Sequence, residues 1–157
     1  MISLNKLLFS FLLTPIIGVG FSQETPGAVC NQFLENLSGT PDKSRDWDWL
    51  SAHLSVDATF TMVNQGGTQT FTGTAFLDMV KANSAKGAFN EVAIHQSEFS
   101  FKSIAEVKQS YEKWADNPEA KTFGMNFYHL VFQDGLWKIR TVIWEKEVDR
   151  DKLPSGF

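Results

Sequence analysis

The sequence predicts an α+β domain, with helices at the start and an antiparallel sheet after them. Three observations carry this. Apolar residues recur at helical spacing in three early stretches. From Phe89 to Glu147 only strand-like segments follow. Asp134-Gly135 stands between two of those segments, a strong signal for a two-residue hairpin.

The elements follow in chain order. Thr25-Pro26 supplies a capping hydroxyl and a proline suited to the first helical position, and Val29, Cys30, Phe33, Leu34 and Leu37 then make one apolar stripe up to Gly39. Thr40-Pro41 repeats the capping signal, and a second helix is expected with Trp47, Leu50 and Leu54 on one face and Trp49 and His53 beside it. Asp57 to Val63 is β-branched and alternating, so it reads as a strand; Gln65-Gly66-Gly67 is a turn, and Thr68 to Phe71 returns. Ala75, Phe76, Met79 and Val80 form the third helical stripe, stopped near Gly87. Four long strands complete the domain: Phe89 to Phe101, Ile104 to Trp114, Lys121 to Phe132 and Leu136 to Glu147.

Composition sets the class. The 157 residues, 43% of them hydrophobic, suit one globular domain, and 14 Phe with 5 Trp provide core material that a disordered chain lacks. A net charge of −4 argues against a nucleic-acid partner. A single Cys excludes a disulfide framework; Cys30 on its helical stripe reads as a buried, inert thiol. Lys6, the apolar run from Leu7 to Val19 and the small-x-small Gly20-Phe21-Ser22 have the layout of a secretory signal peptide over residues 1–22. The expected division is a signal peptide at 1–22, a domain at 23–148 and a peripheral tail at 149–157, the mature protein being periplasmic or secreted with no membrane span.

The Asp134-Gly135 turn pairs Gln133 with Leu136 and lets both faces be read. With a continuous register, one face carries Phe132/Trp137, Leu130/Ile139, Tyr128/Thr141 and Asn126/Ile143. The other carries Val131/Lys138, His129/Arg140, Phe127/Val142 and Met125/Trp144. The helices are expected on the first face. Met125, Phe127, Val142 and Trp144 then form an apolar patch on the second, which predicts a homodimer through that face. Tyr111 alternates onto the helix side, whereas the register of Phe89 to Phe101 stays open: either Val92 and Ile94, or Ala93, His95 and Phe99, accompany Tyr111.

Asp46-Trp-Asp-Trp-Leu50 through His53, Asp57-Ala-Thr-Phe60, Gly73 with Phe76, and Asp134-Gly-x-Trp-Lys-Ile139 with Trp144 resemble the nuclear transport factor 2-like superfamily, near its SnoaL-like branch. Phe89-Asn-Glu91, Tyr111-Glu112 and Gly124-Met-Asn126 resemble an uncharacterised exported bacterial subgroup. The resemblance covers residues 28–147 and implies a cone-shaped, bent antiparallel sheet with three N-terminal or inserted helices packed on its concave face. It also implies a choice of functions, since similar proteins include ketosteroid isomerases, scytalone dehydratases, epoxide hydrolases, polyketide cyclases and non-catalytic binding domains.

The resemblance directs attention to the cone. Enzymes of the superfamily place a carboxylate, or an Asp/His pair, inside it. The helix-side face of the last two strands offers Asn126, Tyr128 and Thr141 but no acid. The candidate ligand-binding residues are Trp49, His53, Phe60, Met62, His95, Tyr111, Asn126, Tyr128 and Thr141. The catalytic candidates are His95 and His53, with Asp46 or Asp48 able to orient one of them. Glu91 and Glu112 read as strand-surface acids. The three His lack ligand-like spacing and no Gly-rich loop precedes a helix, so neither a metal nor another cofactor is expected. Three functions compete: an exported protein that binds a small apolar molecule in the cone, a partner-binding domain whose cone is filled, and an isomerase, dehydratase or cyclase using a pocket His.

Overall fold

The computed structural model describes residues 24–154 and 156; the signal peptide expected over 1–22 lies outside the described residues. Among the described residues there are three α-helices and a short 3-10 turn at Arg150–Lys152. Helix α1 is Pro26–Leu37, and Thr25 Oγ1 accepts a hydrogen bond from Ala28 N–H at 3.1 Å, as the Thr-Pro signal predicts. Helix α2 is Trp47–Ala52 and begins later than Thr40-Pro41 suggests. Its cap is Asp46, whose carboxylate accepts from Trp49 N–H at 2.9 Å. The intervening loop instead wraps the buried Arg45, whose guanidinium donates to the carbonyls of Leu37 and Gly39, both at 3.1 Å. Helix α3 is Gly73–Ser84, capped by Thr72.

Six strands form one sheet: β1 (Leu54–Asn64), β2 (Gly67–Thr72), β3 (Asn90–Phe101), β4 (Ile104–Trp114), β5 (Thr122–Gln133) and β6 (Leu136–Glu147), in the order β2-β1-β6-β5-β4-β3. All neighbours are antiparallel except β1 and β6, which run parallel, so the open sheet is mixed rather than wholly antiparallel. The helices cover its concave face. The core lies between α1 and the sheet and includes Val29, Phe33, Leu50, Val107, Leu130 and Ile139.

Two bulges decide which side chains face inward. The β5–β6 hairpin begins in the expected register, from Gln133↔Leu136 to Leu130↔Ile139. Arg140 is then an extra residue, and the next pairs are His129↔Thr141, Tyr128↔Val142 and Asn126↔Trp144. A bulge of one residue reverses the alternation on its strand. The expected pairs Tyr128/Thr141 and Asn126/Ile143 are therefore replaced. Val142 and Trp144 turn to the concave face, and Thr141 and Ile143 turn outward. Strand β3 does the same at Ile94. The Lys102-Ser103 turn is a strict two-residue loop, with Lys102 at φ 52°, but the shift between Ala93 and His95 brings Ala93 opposite Tyr111 and leaves His95 exposed on the outer face. Beyond it Gln96 and Glu98 point inward, reaching Gln109 and the N-terminus of α1.

Candidate functional site

An apolar cavity of about 380 Å³ opens between α1, α3 and the concave face of the sheet. Its size suits a small organic ligand. The cone is thus not filled by its aromatic residues. Phe60 of β1 and Phe76 of α3 stack at 4.0 Å with an interplanar angle of 4°, and Trp144 of β6 meets Phe76 edge-on at 6.1 Å. These rings are brought together because β1, β6 and α3 each present one aromatic residue to the same side.

One acid lines the cavity. Glu91 of β3 is buried, and its Oε1 accepts a hydrogen bond from Asn126 Nδ2 at 2.8 Å. Burial raises its pKa above the usual carboxylate range, because the charged form loses water; the Asn126 hydrogen bond and the Lys113 ammonium oppose this without cancelling it. The backbone of Glu91 is fixed from α1. Ser38, the C-cap of that helix, accepts from Glu91 N–H at 2.9 Å and donates to Glu91 C=O at 3.1 Å. The adjacent bridge between Gly39 and Phe89 holds the start of β3 to the same loop. Tyr128, fully buried beside Asn126, has its phenol pKa pushed well up by burial first and then by neighbouring acidic groups.

The sequence candidates divide accordingly. Phe60, Met62, Asn126 and Tyr128 line the cavity. Tyr111 is buried on the same face but outside the cavity wall, its hydroxyl over Gly124 and 3.4 Å from the Glu145 carbonyl oxygen. A Cβ at position 124 would collide with that phenol, which is why glycine stands there. His53 is buried elsewhere: its ring stacks on Trp49 at 3.9 Å, Nδ1 lies 2.9 Å from the Trp49 carbonyl oxygen, and Nε2 lies 3.8 Å from Glu24. Neither His53 nor Trp49 reaches the cavity, and His95 and Thr141 face the other way. None of the three histidines lines the cavity. Asp46 caps α2 rather than orienting a histidine.

The sequence reading missed Glu91, Trp144 and Lys113. Glu91 shares the strand phase of Ala93, one of the two registers left open, so choosing that register would have found it. Val142 and Trp144 cannot belong to an outer-face patch, since Val142 is 4% exposed and Trp144 lines the cavity. Met125 and Phe127 do remain outside, and Ile143 joins them. Among the described residues, no three His, Cys, Asp or Glu side chains converge as metal ligands do, and no helix is long and apolar enough to cross a membrane.

With this geometry, solved structures provide the comparison. A nuclear transport factor 2-like protein of unknown function from Pseudomonas putida superposes with a TM-score of 0.61 at 12% identity, over 82% of this chain and 89% of that one. The chain has the nuclear transport factor 2-like fold. A candidate scytalone dehydratase from Novosphingobium aromaticivorans gives a TM-score of 0.60 at 14% identity, over 83% and 91% of the two chains. A candidate ketosteroid isomerase from Shewanella frigidimarina gives 0.55 at 18% identity, over 75% and 92%. Identities this low establish the fold alone. No protein-family model matches the sequence, and no curated protein is similar to it.

Proposed function

We propose that this protein binds a small, mostly apolar molecule inside the cone, oriented by the Glu91–Asn126 pair. The observation that carries the reading is a buried carboxyl–amide contact in the wall of a mostly apolar, open cavity. A pocket of that kind gains affinity from its apolar walls and orientation from a few placed polar groups. A thermal-shift screen of apolar metabolites tests it, since a ligand at 100 times its Kd stabilises by about 2.7 kcal/mol. Wild type should respond and Ala88→Trp, which fills the cavity wall, should not. Equal responses from the two would place the ligand elsewhere.

A second reading is favoured by the state of Glu91. A carboxyl whose pKa is raised by burial takes up a proton more readily than an ordinary carboxylate, the property an isomerase or dehydratase asks of its base. The nuclear transport factor 2-like fold hosts such enzymes, and two similar structures carry those names. In this reading Glu91 replaces His95 and His53 as the proton carrier. Deuterium incorporation from solvent into the bound ligand would report the transfer, and Glu91→Gln should abolish it.

We further propose that the protein acts outside the cytoplasm after losing residues 1–22, and that it is a homodimer through the outer sheet face. The outer face exposes Phe99, Phe101, Ile104, Phe127 and Ile143, between 40% and 70% accessible. Its charged groups Glu106, Lys138 and Arg140 are paired within the chain, with Lys108, Asp134 and Asp57, so burial of the apolar residues is what would drive a two-fold pairing. Intact mass from the native host checks the first statement: a mass retaining Met1 refutes it. Light scattering checks the second: wild type should be dimeric and Phe127→Lys monomeric.

A further inference from the structure

The polar groups of the cavity are unevenly matched. Glu91 has Asn126, but Lys113, its cross-strand partner on β4, makes no ion pair among the described residues. The two leave neighbouring backbone positions on one face, and their charged ends lie beyond ion-pair distance, the ammonium acting on the carboxyl only through space. The carboxyl turns inward. The ammonium stands half-exposed beside the rings of Phe89 and Tyr111, 6.0 Å from each centroid. The neighbouring acid Glu112 points to the other face and is taken by Lys121 at 2.9 Å. Lys113 is therefore the one Lys or Arg side chain among the described residues that lines the cavity, with no carboxylate in direct contact.

Resting on the ligand reading above, we propose that the cavity takes an apolar monocarboxylate, its carboxylate held by Lys113 and its body packed against Phe60, Phe76 and Trp144. The ε-ammonium offers three donors and one charge, enough to neutralise one carboxylate, whereas a dianionic phosphate would leave a second charge unpaired against apolar walls. The Phe60–Phe76 stack and Trp144 give that body an apolar aromatic wall. The groups facing Glu91 are Lys113 and Tyr111 from β4 and Asn126 and Tyr128 from β5, with Ser38 at the end of α1; none is another carboxylate. A bound anion engages Lys113 and adds negative charge, and both changes favour a protonated Glu91. Binding is thus coupled to proton uptake and tightens as pH falls, until the ligand itself protonates.

The test uses 1-naphthoate, cinnamate and decanoate, each paired with its neutral primary amide, by calorimetry and ligand-observed NMR. At least one acid should bind wild type about tenfold more tightly than its amide, the scale of one charge-assisted hydrogen bond. Lys113→Met should erase that preference, leave amide binding within twofold, and keep the near-ultraviolet circular dichroism of the wild type. Lys113→Arg should restore the preference. Glu91→Gln should remove the pH dependence of acid binding. Amides that bind as well as acids, with no effect of Lys113→Met, overturn this inference and leave the cavity reading standing. Binding of neither class overturns both.

Discussion

The two ends of the β5–β6 hairpin are built from the same pair of strands and do opposite things. Near the Asp134-Gly135 turn, Leu130, Trp137 and Ile139 pair in the simple register and fill the space beneath α1. Beyond Arg140, Asn126, Tyr128, Val142 and Trp144 face a cavity instead. One extra residue separates the two regions. It turns two apolar side chains from the outer face to the inner one, and it lets the sheet bend around a space that straight strands would close. The filled end holds the fold together; the open end has aromatic walls, one acid and one cation.

The largest expected effect comes from removing the boundary. Deletion of Arg140 forces β6 into an unbroken alternation, placing Val142 and Trp144 outside and Thr141 and Ile143 within. Cooperative thermal unfolding should be lost, or stability reduced by more than about 4 kcal/mol. A stable variant that keeps the wild-type cavity would show that the bulge does not set the inner face.

The contrast between the ends predicts a graded response to truncation. Ile139→Ala, in the filled end, should cost about 2–5 kcal/mol by chemical denaturation. Met79→Ala, on the cavity wall, should cost much less, because its half-buried side chain already borders open space. Equal losses would mean that the cavity closes in solution. Ser38→Ala should cost about 1 kcal/mol, the scale of a helix cap or one hydrogen bond, and should weaken ligand binding by letting the start of β3 drift.

The smallest effect is a change of slope. The Glu91 carboxyl is raised in the folded protein, so the folded state binds more protons than the unfolded chain at pH values between the two pKa values. In wild type, stability should fall as pH rises from the ordinary carboxylate value through the raised one. Glu91→Gln keeps an acceptor for Asn126 and carries no charge, so it should flatten that slope and be the more stable protein at neutral pH. A steeper slope in the variant would place the titration on another group.

Much of this architecture was legible in residue order. The Thr25-Pro26 cap, the stripe from Val29 to Leu37, the Asp134-Gly135 turn and the long alternating segments each rest on interactions within a few residues of the chain, so local pattern suffices to find them. Their agreement with the nuclear transport factor 2-like fold follows from the same order of elements. The cavity was half legible: of the candidate residues Phe60, Met62, Asn126 and Tyr128 line it and Trp49, His53, His95, Tyr111 and Thr141 do not, whereas Glu91, Lys113 and Trp144 line it without having been candidates.

The reason is one of range. Alternation along a strand names its inner face only while the register is unbroken, and nothing local announces a bulge at Ile94 or Arg140. Those bulges are fixed by what each strand meets across the sheet, including the parallel pairing of β1 with β6 that no hairpin signal could reveal. By itself the sequence determined the elements, their order and the composition of the core. Only the tertiary structure decided that a glutamate from β3 and an asparagine from β5, 35 residues apart, would meet at 2.8 Å in an apolar cavity, because burial and strand register are properties of the assembled sheet.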